Sequence, residues 1–572
     1  MMSKKGEAII EFKDFGFQYF AQAEPTLFDI NLTIYKGEKI LIVGPSGCGK
    51  STLGNCINGL IPNSYKGEMS GSLRIAGKDA KESDIFERSM EVGTVLQDSD
   101  GQFVGLTVAE DIAFALENDC VPTEEMRETV AKTAKIVDMD GHLKSSPHEL
   151  SGGQKQRVSF AGVMVHDVDI LLFDEPLANL DPATGKTAIA LIDDVWKEYG
   201  KTVLIIEHRM EDVLYRDVDR IVVMSEGRIV ADMKPDDLMA TTTLPELGIR
   251  EPLYVTAMKY AGMEVTPEMR AGRFETLDID AVREPLLKWY SEEVPKPEKN
   301  DNPPLLELRN VDFGYTDRKQ ILHDISFAVR QGEMMSIVGT NGAGKSTIAK
   351  LICGFEKIDK GEMLFKGEDM REWTIKDRSQ KIGYVMQNPN QMICKPMIYE
   401  EVAMGLQIAG MDEAEIDERV NKALSICGLA PFRKWPISAL SYGQKKRVTI
   451  ASILVMDPEL LILDEPTAGQ DYRHYTDIME FLKSLNKQGI TIIMITHDMH
   501  LMLEYTPHAV VLSDGKKLGD STAVDILTNE KIAEEANLKL TSLYDLALAL
   551  EVDDPESFVD HFIACEAERG HP

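Results

Sequence analysis

Short uninterrupted apolar runs punctuate this chain and recur in the same order in its two halves. Ile40-Leu41-Ile42-Val43, ILLF (170–173) and TVLII (202–206) are answered by Met335-Ser336-Ile337-Val338, LLIL (460–463) and TIIMI (491–495). Runs this short with almost no polar alternation predict strands buried on both faces, the pattern of a parallel central sheet. Longer segments of helical period separate them, so each half reads as α/β. Between Gln97 and Glu149, and again between Gln387 and Ala439, the pattern turns helical and predicts a helical subdomain inserted between central strands.

The correspondence between halves is nearly constant in spacing. Ser151 and Ser441, Asp174 and Asp464, and Leu253-Tyr254 and Leu543-Tyr544 are each 290 residues apart. A colinear ladder of this length is a duplicated domain rather than a short solenoid unit. It predicts a first α/β domain over 1–234, a small helical extension over 235–290, a linker over 291–304, a second domain over 305–522 and a second extension over 523–572. The linker, SEEVPKPEKNDNPP, is polar and proline-rich. From Glu264 to about Lys288 the pattern is compatible with either a helix or an extended connection.

The chemistry begins where the first apolar run of each ladder ends. Gly44-Pro45-Ser46-Gly47-Cys48-Gly49-Lys50-Ser51-Thr52 and Gly339-Thr340-Asn341-Gly342-Ala343-Gly344-Lys345-Ser346-Thr347 both fit G-x-x-x-x-G-K-[ST]. Glycines let successive backbone N–H groups turn inward at a helix N-terminus and form an anion cradle. Lys50 or Lys345 can reach the outer phosphates of a nucleotide, and Ser51 or Ser346 offers a hydroxyl to Mg²⁺. Cys48, opposite Ala343 of the second loop, reads as a small filler, with thiol sensitivity as the alternative. Two further strands end in Asp174-Glu175 and Asp464-Glu465. There one carboxylate can hold Mg²⁺ and the next can orient or deprotonate a water. His208 and His497 follow the next strands, where an imidazole can hydrogen-bond a γ-phosphate and align the water. Leu150-Ser151-Gly152-Gly153-Gln154 and Leu440-Ser441-Tyr442-Gly443-Gln444 precede helix starts. By themselves these are N-cap sequences, and the same geometry can bind phosphate from outside.

Composition narrows the setting. With 95 acidic against 62 basic side chains in 572 residues, the formal charge is −33. Neither a basic block nor a basic excess is present for tracking phosphates, which argues against nucleic acid as the main partner. Seven scattered cysteines without paired metal spacing suit a reducing cytoplasm. No run approaches the roughly 18–20 apolar residues of a membrane span, so a membrane process would be served from the cytoplasmic face.

In this order, the aromatic start, phosphate loop, glutamine loop, signature, Asp-Glu strand end, D-loop and histidine resemble the ATP-binding-cassette ATPase domain, present twice. The resemblance implies cassettes pairing head to tail within one chain, each ATP between one phosphate loop and the other signature. Carried over, Lys50, Ser51, Gln97, Asp174, Glu175 and His208 would face Ser441, Gly443 and Gln444. Lys345, Ser346, Gln387, Asp464, Glu465 and His497 would face Ser151, Gly152, Gly153 and Gln154. Tyr19 and Tyr315 match the family's adenine-stacking aromatic, and Asp181 and Asp471 its D-loop acid. Mg²⁺ would be held by Ser51, Gln97 and Asp174, and by Ser346, Gln387 and Asp464. Tyr442 departs from the pattern, standing where the signature has its first glycine. Since neither Glu nor His is missing, both sites are expected to hydrolyse ATP, at equal or unequal rates.

The glutamine segments, Gln97-Asp-Ser-Asp-Gly-Gln102 and Gln387-Asn-Pro-Asn-Gln391, resemble those of energy-coupling-factor importers of vitamins or metal ions. That subtype implies a transmembrane scaffold subunit and a substrate-binding membrane subunit as partners, with Asp98 or Asp100 facing an arginine of a coupling helix or simply solvated. A tandem-cassette importer of sugars or peptides, and a soluble tandem-cassette ATPase acting on ribosomes or DNA, are the alternative readings.

Overall fold

The computed structural model describes residues 6–96, 100–178, 180–295, 300–316, 319–468 and 470–569. The chain divides into two compact units, one made chiefly of Met1–Glu292 and the other chiefly of Glu293–His571.

In the first unit the parallel sheet runs in the order Val92–Val95, Ile170–Asp174, Thr202–Ile206, Lys39–Val43 and Arg220–Ser225, with Arg228–Met233 as an antiparallel edge. Lys39–Val43 and Thr202–Ile206 are buried at every position, as the apolar run after the first residue of each requires, and the buried Lys39 ammonium is paired with Asp193 at 2.6 Å. This order puts the phosphate loop after Lys39–Val43 and the acid pair after Ile170–Asp174, on the same carboxyl edge and two strands apart. A four-stranded antiparallel sheet, ordered Leu27–Tyr35, Ala8–Tyr19, Gly67–Ile75 and Lys78–Asp79, packs its apolar face into the same core. The helices Val108–Asn118, Thr123–Ile136 and Gly152–Met164 form the inserted helical part. Its first helix is started by a capping box of Thr107 and Glu110.

The second unit repeats this plan. Its parallel sheet is ordered Ile382–Val385, Leu460–Asp464, Thr491–Ile495, Met334–Gly339 and His508–Ser513, with Lys516–Thr522 antiparallel at the edge. Its helices Ile398–Ala409, Glu413–Ile426 and Tyr442–Leu454 enclose an apolar cluster of their own, including Ile398, Val402, Leu406, Val420, Leu424 and Val448.

The extensions are helical. In the first, Leu253–Tyr260 buries Tyr254, whose hydroxyl donates to the Ala271 carbonyl at 3.0 Å. The segment open to two readings resolves into single turns at Pro267–Met269 and Phe274–Thr276 and a helix over Ile279–Tyr290. In the second, Ser542–Ala549 and Pro555–Arg569 pack on each other, and Tyr544 is only half-buried. Among the described residues no helix is long and apolar enough to cross a membrane.

Candidate active site

Each phosphate loop leaves a fully buried strand and closes on a helix N-terminus, at Lys50–Ile57 and Lys345–Cys353. Gly44 and Gly339 are required by close approach: an added Cβ would lie 2.3 Å from the Met224 carbonyl oxygen or 1.8 Å from that of Leu512. Gly47 and Gly342 are required by conformation, at φ 76° and 83°. The Lys50 ammonium is held over the loop by the carbonyls of Gly44 and Pro45, at 2.8 and 2.9 Å. Lys345 does the same with Gly339 and Thr340, both at 2.9 Å. The result is a concave set of backbone donors and a cation, the chemistry a polyphosphate needs.

Asp174 and Asp464 reach the loops. The Ser51 hydroxyl donates to Asp174 Oδ1 at 3.4 Å, and Ser346 hydrogen-bonds Asp464. Burial and the neighbouring Glu175 charge push Asp174 up to about 6, against the pull of Ser51 and Lys50. Asp464 is likewise raised by burial. A hydroxyl and a carboxylate beside a phosphate cradle form an all-oxygen donor set, which fits a hard divalent cation.

The next residues turn sharply. Glu175 and Glu465 have φ of 51° and 48°, a left-handed conformation costing a non-glycine residue on the order of 1–3 kcal/mol. It is held because their N–H groups donate to Ile206 and Ile495 carbonyls at 2.8 Å. Glu175 Oε1 lies 2.9 Å from His208 Nε2, and Glu465 Oε1 2.7 Å from His497 Nδ1. Burial alone would raise the Glu175 carboxyl, but the His208 hydrogen bond and charge, with Lys50, hold it below its ordinary value. An ionised carboxylate paired to an imidazole, at a strand end beside an anion cradle, can accept a proton from water.

Tyr19 and Tyr315 each place a hydroxyl against the phosphate-loop helix, 3.2 Å from Thr52 Oγ1 and 3.3 Å from Thr347 Oγ1. Ser151 and Ser441 are N-caps of Gly152–Met164 and Tyr442–Leu454, each in a reciprocal capping box with Gln154 or Gln444. Asp181 caps Pro182–Tyr199 by accepting from Thr184 N–H at 2.9 Å, and Asp471 immediately precedes Tyr472–Lys487. Gln97 and Asp98 lie outside the described residues, and of Asp100 only the backbone is described. Cys48 is 5% exposed and burial pushes its thiol up, which suits the filler reading.

Other residues around the acid pair escaped sequence reasoning. The buried Glu207 carboxylate accepts from the N–H groups of Leu177, His208 and Arg209, at 3.1, 2.7 and 3.2 Å, and so locks the histidine turn to the acid-pair loop. Thr496 takes its place in the second unit, donating to Glu465 Oε2 at 3.5 Å and accepting from Asp498 N–H. Lys446 and Tyr384 also converge on the second acid pair. Comparing the two halves position by position would have marked all of these as places where the repeat diverges.

Comparisons with known proteins find relatives over nearly the whole chain. A family model described as ABC transporter matches residues 27–178 and 322–468. A model described as ATP-binding cassette cobalt transporter matches 241–313, and one of an AAA domain matches 433–504. An ABC transporter ATP-binding protein of Clostridium perfringens is 59% identical over 97% of this chain and 98% of its own. One from Enterococcus faecalis is 57% identical over 98% and 99%. A solved structure titled as CbiO1 of Clostridium perfringens, part of the ABC transporter complex CbiONQ, is 33% identical over 41% of this chain and 96% of its own, with a TM-score of 0.38.

Proposed function

The chain belongs to the ABC transporter ATP-binding family and is an ATPase with two cassettes, and we propose that it drives a membrane importer of the energy-coupling-factor type, taking up a vitamin or a metal ion. The observation that carries the ATPase part of the reading is the pairing, in each unit, of a strand-end glutamate with a histidine beside a phosphate cradle. The importer subtype is supported by the wording of the two glutamine segments and by the match of 241–313 to ATP-binding cassette cobalt transporters. Its partners under this reading are a transmembrane scaffold subunit and a substrate-binding membrane subunit, which place the chain at the cytoplasmic face of the membrane.

The chemistry follows from the residues. Lys50 and Lys345 exchange loop carbonyls for the outer phosphates of ATP, and the loop N–H groups hold the rest of the polyphosphate. Mg²⁺, held by Ser51, Gln97 and Asp174 and by Ser346, Gln387 and Asp464, would neutralise charge on the phosphates. Glu175 or Glu465 accepts the proton of the attacking water, and His208 or His497 keeps that carboxylate aimed. The same reading assigns Tyr19 and Tyr315 to adenine, and Ser151, Gly152, Gly153, Gln154, Ser441, Gly443 and Gln444 to the ATP phosphates.

Glu175→Gln and Glu465→Gln should each lower ATP turnover, by ~10²-fold at the altered site, from loss of the proton acceptor. Turnover unchanged by either substitution would remove that glutamate from the reaction. Purification of the tagged chain from detergent-solubilised membranes, with partners identified by mass spectrometry, tests the importer reading. Integral membrane proteins in fixed ratio are expected; ribosomal or DNA-repair proteins in their place would overturn it.

A further inference from the structure

The two units surround the same acid pair with different side chains. In the second, Lys446 lies one turn into helix Tyr442–Leu454 and is 1% exposed. Its ammonium donates to the carbonyl of Gln387 at 3.1 Å and to that of Glu465 at 2.9 Å. The Tyr442 hydroxyl donates to the same Gln387 carbonyl at 3.4 Å. From the other side, the Tyr384 hydroxyl donates to Asp464 Oδ2 at 3.0 Å. In the first unit the corresponding positions hold Gln156, Gly152 and Thr94. The Gln156 amide donates to the Pro176 carbonyl, Gly152 has no side chain to offer, and Thr94 Oγ1 is buried without a hydrogen-bond partner among the described residues.

A buried ammonium is costly unless its donors are satisfied and negative charge lies near. Here two backbone carbonyls satisfy it, and the carboxylates of Glu465 and Asp464 counter the burial that pushes its pKa down to about 8. What distinguishes this lysine is which backbones it joins. One carries the glutamine assigned to the metal, the other carries the glutamate assigned to the water, and the lysine itself rides on the signature helix.

We propose that Lys446 is a positioning residue of the second nucleotide site, tying the signature helix and the glutamine loop to the backbone of Glu465, where the first site has, among the described residues, only the uncharged Gln156 amide on the Pro176 carbonyl. The inference rests on the ATPase reading of the two sites. It makes the Glu465 carboxylate depend on the placement of its own signature helix, through one side chain, and Tyr442 reinforces the glutamine-loop end of the link.

The test uses the full chain carrying Lys446→Met, which keeps length and packing but removes the donors, or Lys446→Gln, which copies the first unit. Turnover is measured against ATP concentration, and vanadate-trapped 8-azido-ATP is mapped to the peptide of each phosphate loop. Lys446→Met should lower turnover at the second site by ~10-fold, the scale of losing a charged hydrogen bond, and total kcat by that site's share, with KM for ATP little changed. Trapping should fall at the peptide carrying Lys345 and persist at the peptide carrying Lys50. Lys446→Gln should recover part of the loss, since a glutamine amide at this position already reaches the neighbouring carbonyl in the first unit. Equal loss at both peptides, a rise in KM at constant kcat, or no change in either variant would overturn the proposal. Absence of trapping at both peptides in the unaltered chain would instead overturn the reading of the sites themselves.

Discussion

Cys48 shows how burial decides the fate of a side chain inside a reactive loop. It occupies the position of Ala343, and a Cβ on Gly44 would come within 2.7 Å of its sulfur, so the thiol fills space under the loop. Burial disfavours the thiolate, the form that reacts. Cys120 and Cys394 are exposed, whereas Cys56, Cys353, Cys427 and Cys565 are buried. Brief treatment of the native chain with iodoacetamide should therefore modify Cys120 and Cys394 first and leave Cys48 intact, as peptide mapping would show. Modification of Cys48 ahead of Cys120 would mean that the loop opens far more readily than its packing implies. At the same scale, the strained turn at Glu175 and Glu465 is invisible in the Asp-Glu-Pro sequence. It exists because each N–H is claimed by the adjacent strand.

At the scale of elements, the two edge hairpins solve one problem with different ions. In the first unit Arg220 pairs with Glu38 at 2.9 Å and with Asp232 at 2.6 Å. In the second, His508 stands in the place of Arg220 and lies 2.8 Å from both Glu333 and Asp520, with Lys517 also on Asp520. Burial would lower this imidazole, but the two carboxylates outweigh it and raise it to about 9. Because the folded value lies above the ordinary 6.5, its stabilisation is complete below about pH 6.5 and is lost as pH rises through about 9. The contribution is on the order of 1–2 kcal/mol once solvent screening is allowed for. The melting temperature of the second unit should fall between pH 7 and pH 9.5, and His508→Arg should flatten that fall. An unchanged pH dependence in His508→Arg would show that the histidine is not the group responsible.

At the scale of the whole molecule, each unit has its own pair of sheets and its own apolar core. Separate polypeptides covering 1–295 and 300–572 should each unfold cooperatively on heating. If hydrolysis requires residues of both cassettes, as the family reading holds, each half alone should turn over ATP poorly and mixing should restore the rate. Full activity in one isolated half would contradict that requirement. The formal charge of −33 adds that such mixing should improve with salt, which screens repulsion between two acidic chains.

Much of this protein was legible along the chain because its determinants are local. Four or five apolar residues in a row between turn signals fit a strand buried on both faces, and G-x-x-x-x-G-K-[ST] directly after one fits a tight cradle. An acid pair closing such a strand marks the sheet edge where the loops gather, so the α/β plan and Lys50, Asp174, Glu175 and their counterparts could be named in advance. The tertiary structure alone decided what surrounds them. Lys446 meets the Gln387 carbonyl across 59 residues of chain, Tyr384 meets Asp464 across 80, and Glu207 meets Leu177 across 30. A buried lysine or glutamate carries no local signature of its partners, since only packing settles which carbonyl or N–H lies within reach of its charge. For that reason the duplication and the positions where it diverges were written in the sequence, while which of those positions meet the acid pairs emerged only from the fold.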